Sequence, residues 1–499
     1  MKYLLTNAQM READKFTIEN LGVPSLALME RAGEALYAEA KKLAPNGRVL
    51  CVCGGGNNGG DGFVCGRKLL LDGRQVDAVF FAENASRECE INKSEFEMNG
   101  GAVYPDFPER EYALVVDCLF GTGYRKSDDE RVERAIQRIH LLKRRGAKVL
   151  SADIPSGLSG DNGLSFGCAV EADETLCIGE IKLGAVLNDG VDCSGKIVRA
   201  DIGIALPAFD PDGNGYAYLV EEDEVQALLP KRRRNTHKGS YGHAYVVAGS
   251  YAYSGAAYLA TAGALKSGAG YVTLYLPEAL LPAFMLKIPE AILRPLCKGN
   301  ALVFDEDVFA GMGKGALAYG MGLTVSEDVA RGAEYLVSHY QGTLVLDADG
   351  LNALSLFSRE RFGELFAEKS CSVVLTPHPR EFARLLNVDV SEVLENGVAL
   401  AKAFAKEHGV TVLLKGAATV ITDGVRVAVN DEGNAGQAKG GSGDVLSGVI
   451  AGLCASGLSA FEGAVCGAFL TGRAANIAKT EMEEYALTPS DVISYLGRV

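Results

Sequence analysis

The chain has no Cys-x-x-Cys pair and no cysteine–histidine cluster at zinc-site spacing, although it carries 12 cysteines. Several of them, including Cys51, Cys53, Cys118 and Cys177, fall inside apolar strand-like runs. This pattern argues against a disulfide framework or a structural zinc site, and fits buried, reduced thiols in a cytosolic protein. Long hydrophobic runs are missing too. No stretch reaches membrane-spanning length, and Met1-Lys2-Tyr3-Leu4-Leu5 lacks the apolar core of a signal peptide, so a cytoplasmic location without a membrane partner is expected. Positive charge is the third deficit: the net charge of −15 argues against a nucleic-acid partner. The one dense basic run, Lys231-Arg232-Arg233-Arg234, reads as a solvated linker or a phosphate-greeting patch.

What is present is ordinary soluble protein, at 48% hydrophobic and 23% charged residues. At 499 residues the chain exceeds a single core, so two or three domains are expected. The 60 glycines have no collagen-like period and imply tight turns or ligand loops.

The first half repeats one grammar: an apolar strand ending at a polar residue and a glycine turn. Two helices over about residues 8 to 43 precede it. Val49-Leu50-Cys51-Val52-Cys53 runs into Gly54-Gly55-Gly56-Asn57-Asn58-Gly59-Gly60-Asp61-Gly62, with a helix predicted from Phe63 to Leu71. Strand, glycine loop and helix make the phosphate-binding start of a βαβ unit. Gly54, Gly56 and Gly59 satisfy GxGxxG, and Glu83 stands where a ribose-binding acid would follow the next strand. The oxygens of Asn57, Asn58 and Asp61 suit a ribose, an amide or a hard cation better than a bare pyrophosphate. A purely structural loop is the alternative. Further strands end at Asp117, at Asp153-Ile154-Pro155-Ser156, and before Lys182. Ligands of open parallel sheets bind outside the carboxyl ends of strands, so Asn58, Asp61, Asp117, Asp153, Ser156 and Lys182 are expected to share one crevice.

Prolines, glycines and abrupt charge alternation over residues 206 to 236 mark a boundary, and a second α/β pattern starts at Gly242. Its strand ends place His378 and Lys415 as candidates beside Gly440-Gly441-Ser442-Gly443-Asp444, a glycine loop that opens an apolar helix. Free N–H groups and the helix dipole make such a loop an anion site. Asp444 is either a capping residue or a proton acceptor.

These motifs carry a resemblance. Leu28-Met29-Glu30-Arg31-Ala32-Gly33, Asn57 to Gly62, Phe120-Gly121-Thr122-Gly123 and Asp153 to Gly157 resemble the epimerase half of bifunctional NAD(P)H-hydrate repair enzymes. His237-Lys238-Gly239, Gly268-Ala269-Gly270, Asp347-Ala348-Asp349, Thr376-Pro377-His378-Pro379, Lys415-Gly416-Ala417-Ala418-Thr419 and the Gly440–Asp444 loop resemble the dehydratase half. The likeness runs in order from about residue 8 to 495. It implies an N-terminal Rossmann-like α/β/α sandwich over 1–214 and a ribokinase-like α/β/α domain over 222–499.

The implied activity is repair of nicotinamide cofactor that has added water at C6 of its ring. One half interconverts the R and S hydrates, NADHX and NADPHX. The other dehydrates the S form using ADP rather than ATP, with Mg2+, giving AMP and phosphate. The resemblance assigns K+ to Asn58, Asp117 and Ser156. It assigns hydrate contacts to Asn57, Asn58, Gly59, Gly60, Asp61, Gly121, Thr122, Gly123, Tyr124, Arg125, Lys126 and Ser127 in the first half. In the second half it assigns them to Ala256, Gly322 and His378. Nucleotide contacts fall to Lys415, Gly416, Ala417, Ala418, Thr419, Gly440, Gly441, Ser442 and Gly443. The catalytic expectations are Asp153, assisted by Lys182, at the epimerase site and Asp444 at the dehydratase site. A homo-oligomer is expected. The chain departs from relatives at Arg380, at Leu323-Thr324 and at Thr471, where a histidine is common. The competing readings are a ribokinase-like vitamin-precursor kinase with an accessory ligand-binding domain, or a non-catalytic binding protein.

Overall fold

The computed structural model describes residues 2–121, 130–165, 167–207, 215–296 and 299–499. The chain forms two compact units, Lys2–Asp210 and Pro211–Val499.

Strands of the first unit are β1 (Lys2–Leu5), β2 (Val49–Cys53), β3 (Val76–Phe80), β4 (Ala102–Tyr104), β5 (Leu114–Cys118), β6 (Lys148–Ala152), β7 (Glu174–Ile178), β8 (Ile181–Lys182) and β9 (Lys196–Ala200). Seven of them build a parallel sheet in the order β4-β3-β2-β5-β6-β7-β9. All five residues of β2 and of β5 are buried, as continuous apolar strands covered on both faces must be. Helices Ser25–Leu43, Asn57–Leu71 and Arg87–Met98 cover one face through Leu36, Phe63 and Phe96. Helix Glu130–Arg144 covers the other through Ile136 and Ile139. Strand order reverses between β2 and β5, and the crevice of an open α/β sheet lies at that reversal.

One sequence expectation fails here. The helix after β2 starts at Asn57, not at Phe63, so Asn57 to Gly62 form its opening turns. Close packing explains the glycines: a Cβ on Gly59 would lie 1.8 Å from the Gly54 carbonyl oxygen. Beside the main sheet, β1 and β8 pair in parallel with Leu5 opposite Lys182. Helix Asn7–Glu19 follows β1 directly, with Thr6 closing a capping box with Gln9.

The second unit holds β10 (Ala217–Leu219), β11 (His243–Val247), β12 (Tyr271–Leu276), β13 (Ile292–Pro295), β14 (Ala316–Tyr319), β15 (Thr343–Leu346), β16 (Ser372–Leu375), β17 (Thr411–Leu414), β18 (Thr419–Thr422) and β19 (Val427–Asn430). They run in the order β13-β12-β11-β14-β15-β16-β17-β18-β19-β10. The sheet is parallel from β13 to β17, and β17, β18 and β19 form an antiparallel meander. Its strand order reverses between β11 and β14. Helix Ser442–Ala455 is buried from Val445 to Cys454, as its nearly all-apolar sequence demands. It packs closely on helix Ser254–Lys266: a Cβ on Gly448 would lie 1.9 Å from the Ala260 carbonyl oxygen.

Candidate active sites

In the first unit a cavity of about 500 Å³ opens at the β2/β5 reversal. Asn57, Asn58, Asp61, Gly121, Asp153 and Lys182 all line it. Asp153 follows β6 with a positive φ of 71°, a conformation that L-residues adopt at a cost. The turn brings its carboxylate to Lys182, which is 1% exposed. The ammonium donates to Asp153 and to the carbonyls of Ile178, at 2.7 Å, and Glu180, at 3.1 Å. The Ile178 N–H gives Asp153 a further hydrogen bond of 3.2 Å. Buried charge is tolerated here because every Lys182 proton has an acceptor. Asp61 lacks such a partner among the described residues. Burial, and then the charges of Asp153 and Asp14, push its carboxyl well above the usual range.

Behind the cavity Ser156 donates to Asp117 from its hydroxyl, at 2.6 Å, and from its N–H, at 2.9 Å. The Ser151 hydroxyl adds a third bond of 2.9 Å. Burial keeps the Asp117 pKa raised despite the opposing pull of these bonds. Asn58 donates its amide N–H to the Phe120 carbonyl at 2.9 Å, leaving its buried Oδ1 without a partner among the described residues. An unpartnered amide oxygen near a carboxylate and a hydroxyl is a donor set for a hard monovalent cation.

In the second unit Asp347, at the end of β15 and 2% exposed, is the hub. One carboxylate oxygen accepts from Lys415 at 2.8 Å and from the Ala348 N–H at 2.9 Å; the other accepts from Ser447 at 2.8 Å. Burial opposes the Asp347 charge, but Lys415 and Ser447 win and hold its pKa below the usual value. Burial likewise opposes the Lys415 charge, yet Asp347 and Glu381 keep its pKa raised. A Cβ on Gly443 would lie 3.3 Å from Lys415 Nζ, which places the glycine loop directly at this ammonium. Gly441, at φ +102°, is the N-cap, and the buried Ser442 hydroxyl has no partner among the described residues. Asp444 is half-buried in the first turn. Burial first, and then Asp347, push it up to about 6 against the pull of Lys415.

The residues expected from sequence sort as follows. Gly59 and Gly60 serve helix packing, since a Cβ on Gly60 would meet the Met29 sulfur at 2.5 Å. Thr122, Gly123, Tyr124, Arg125, Lys126 and Ser127 lie outside the described residues. Glu83 is largely exposed and pairs with Arg131 at 3.6 Å, away from the cavity. Ala256 and Gly322 touch: a Cβ on Gly322 would sit 2.9 Å from that of Ala256. His378 caps helix Pro379–Leu386, its Nδ1 accepting from the N–H groups of Arg380 and Glu381 at 3.1 and 3.2 Å. Burial lowers the His378 pKa, which keeps the imidazole neutral. Glu381 approaches Lys415 at 4.0 Å, so His378 borders the same site. Gly416, Ala417 and Ala418 form the turn between β17 and β18, and Thr419 opens β18. Arg380 is exposed, and the Thr471 hydroxyl bonds back to the Gly467 carbonyl at 2.8 Å inside its own helix.

Sequence reasoning gave no role to Asp14, Asp347, Glu381 or Ser447. Asp347 carried a signal, a strand-end carboxylate of the kind singled out at Asp153. Ser447 carried none, being one hydroxyl in an apolar helix.

Two open α/β units, each with a lysine–carboxylate pair at the carboxyl ends of its strands and one beside an anion loop, define a bifunctional enzyme with two small-molecule sites. The family described as YjeF-related protein N-terminus matches residues 25–184, and the family described as NAD(P)H-hydrate dehydratase matches residues 244–498. A bifunctional NAD(P)H-hydrate repair enzyme from Moorella thermoacetica is 34% identical over 100% of this chain and 96% of its own. The Escherichia coli K12 enzyme of the same description is 28% identical over 98% of this chain and 92% of its own. A solved ADP/ATP-dependent NAD(P)H-hydrate dehydratase from Bacillus subtilis, co-crystallized with ATP/Mg2+, is 30% identical, with a TM-score of 0.49. It spans 56% of this chain and 95% of its own. The chain belongs to the bifunctional NAD(P)H-hydrate repair enzymes. It is accordingly an NAD(P)H-hydrate epimerase and dehydratase in one polypeptide.

Proposed function

We propose that the two activities divide between an epimerase half over 1–214 and an ADP-dependent dehydratase half over 222–499, with Asp153 and Asp444 as their respective catalytic carboxylates. The observation that carries the reading is Asp444, a carboxylate of raised pKa in the first turn of the anion-loop helix. A fixed negative charge there opposes phosphate binding; a proton acceptor serves phosphoryl transfer. The C6 hydroxyl of the S hydrate loses its proton to Asp444 as its oxygen attacks the terminal phosphorus of ADP, releasing AMP. The N–H groups of Gly440 to Gly443 and the Lys415 ammonium steady the transferred phosphoryl group. Phosphate then leaves C6 with the bonding electrons, C5 gives up a proton, and the ring double bond returns. Mg2+ would accompany the nucleotide phosphates, and His378, Ala256 and Gly322 hold the nicotinamide end.

In the first half Asp153, oriented by Lys182, exchanges protons with the C6 hydroxyl of the hydrate. Asn58, Asp117 and Ser156 would hold K+, a placement supported by the unpartnered buried Asn58 oxygen. The cation would supply fixed positive charge at that donor set. Asn57, Asp61 and the segment Gly121 to Ser127 contact the hydrate. Every described cysteine is free, which supports a reducing cytoplasm. No described helix is long and apolar enough to cross a membrane. The family resemblance also supports a homo-oligomer, which sedimentation equilibrium tests.

The test is recovery of reduced-nicotinamide absorbance from a mixed R/S hydrate. ADP with K+ is expected to restore the whole mixture, ADP without K+ chiefly the S portion, and ATP less than ADP. No recovery with either nucleotide overturns the reading.

A further inference from the structure

Resting on the epimerase reading above, we infer that Asp14 is the second proton-transfer group of that site, working with Asp153 from a different wall of the cavity.

The pairing of Leu5 with Lys182 sets the helix that follows β1 beside the Lys182–Asp153 pair. Met10, Arg11, Asp14 and Ile18 of that helix line the cavity, mostly at the four-residue spacing of one helix face. Met10 packs under the strand ends: a Cβ on Gly179 would lie 2.9 Å from the Met10 methyl carbon. Asp14 is half-buried and accepts no hydrogen bond from a described residue. A side chain with no structural bond, held in a substrate cavity among charged groups, is available to a ligand. Burial raises its carboxyl to about 6, Lys182 pulls it down and Asp153 pushes it up. Asp61 faces it from helix Asn57–Leu71, and Arg11 and Glu88 line the same cavity.

The chemistry requires two groups. C6 of the hydrate bears a hydroxyl next to the ring nitrogen, and its C–H is not acidic, so inversion proceeds by breaking and remaking the C6–O bond. Asp14, protonated, gives its proton to the hydroxyl. The C6–O bond breaks with its electron pair leaving as water, and the nitrogen lone pair forms a C6=N1 double bond. Water then adds to the other face of C6, the C=N pair returns to nitrogen, and the Asp153 carboxylate takes the proton released. Solvent exchange at both carboxyls resets the protons, and the reverse epimerisation uses the groups in exchanged roles. One carboxylate alone cannot serve both faces. Asp14 supplies the group that strand-end residues do not, and a pKa near neutrality suits donor and acceptor duty alike.

The test uses the full-length chain with ADP and K+, following absorbance recovery from purified R hydrate, with S hydrate as the internal reference. Asp14→Asn is expected to slow R recovery by about 100-fold or more relative to S recovery. It is also expected to abolish the limb near pH 6 in the epimerisation pH profile, while Asp14→Glu keeps a limb at shifted pH. Wild-type R recovery in Asp14→Asn overturns the assignment. So does slowed recovery with the limb unmoved, which marks a structural role; Asp14→Glu decides the point if the Asn variant folds poorly. A wild-type chain that never consumes R hydrate overturns the epimerase reading instead.

Discussion

Asp444 occupies a place where a purely phosphate-binding loop tolerates a negative charge poorly, and its environment supports the proton-acceptor role proposed for it. Burial and the Asp347 carboxylate leave it reluctant to ionise, and therefore ready to accept a proton at neutral pH. Asp444→Asn is expected to bind ADP normally in calorimetry and to lose dehydration by about 10²-fold or more. Retained dehydration overturns its role. The same shift sets a stability signature. A carboxyl raised above its unfolded pKa destabilises the fold as pH rises from the unfolded value, near 4, through the folded value, about 6. The Asn variant should therefore melt higher than wild type above pH 6, and its advantage should shrink as pH falls towards 4.

Lys182 shows the opposite logic, a fully satisfied buried charge. Lys182→Met leaves Asp153 facing the interior without its ammonium. It should cost roughly 3–5 kcal/mol in urea denaturation and abolish epimerisation. A variant as stable as wild type would show that Asp153 finds another partner.

At the scale of elements, glycines decide how closely helices approach. Helix Ser442–Ala455 carries Asp444, Ser447 and the anion loop on one rigid rod against helix Ser254–Lys266, which brings Ala256 to Gly322. Gly448→Ala would place a methyl group 1.9 Å from the Ala260 carbonyl oxygen, backbone that cannot swing aside. About 1–3 kcal/mol of stability should be lost, and dehydration should fall more than nucleotide binding because Asp444 shifts against the hydrate. Stability and kinetics measured on one preparation separate the two effects. The same close packing defeated the helix start placed at Phe63. Three glycines and two asparagines read as loop by propensity, yet Asn57 to Gly62 are helical because only glycine lets this helix lie on β2 and β5.

For the whole molecule, two chemistries on one chain predict separable failures. Asp153→Ala should recover only the S portion of a mixed hydrate, with further recovery limited to spontaneous epimerisation. Asp444→Asn should interconvert the isomers without restoring absorbance. A chain in which either change abolishes both activities would overturn the division of labour.

Much of this was legible in the residues. Apolar runs marked the strands, glycine turns marked their carboxyl ends, and the polar residues at those ends pointed to Asp153 and Lys415, because ligands of open parallel sheets gather there, while a glycine loop opening an apolar helix pointed to Gly440–Asp444. These are local signals, written in consecutive residues. What only the tertiary structure decided are partnerships between distant segments: Asp347 bridging Lys415 and Ser447, and Asp14 entering a cavity whose other walls lie far along the chain. Periodicity shows which side chains turn inward, but not which of them meet. That choice follows from sheet order and helix packing, and so do burial and the pKa values it sets.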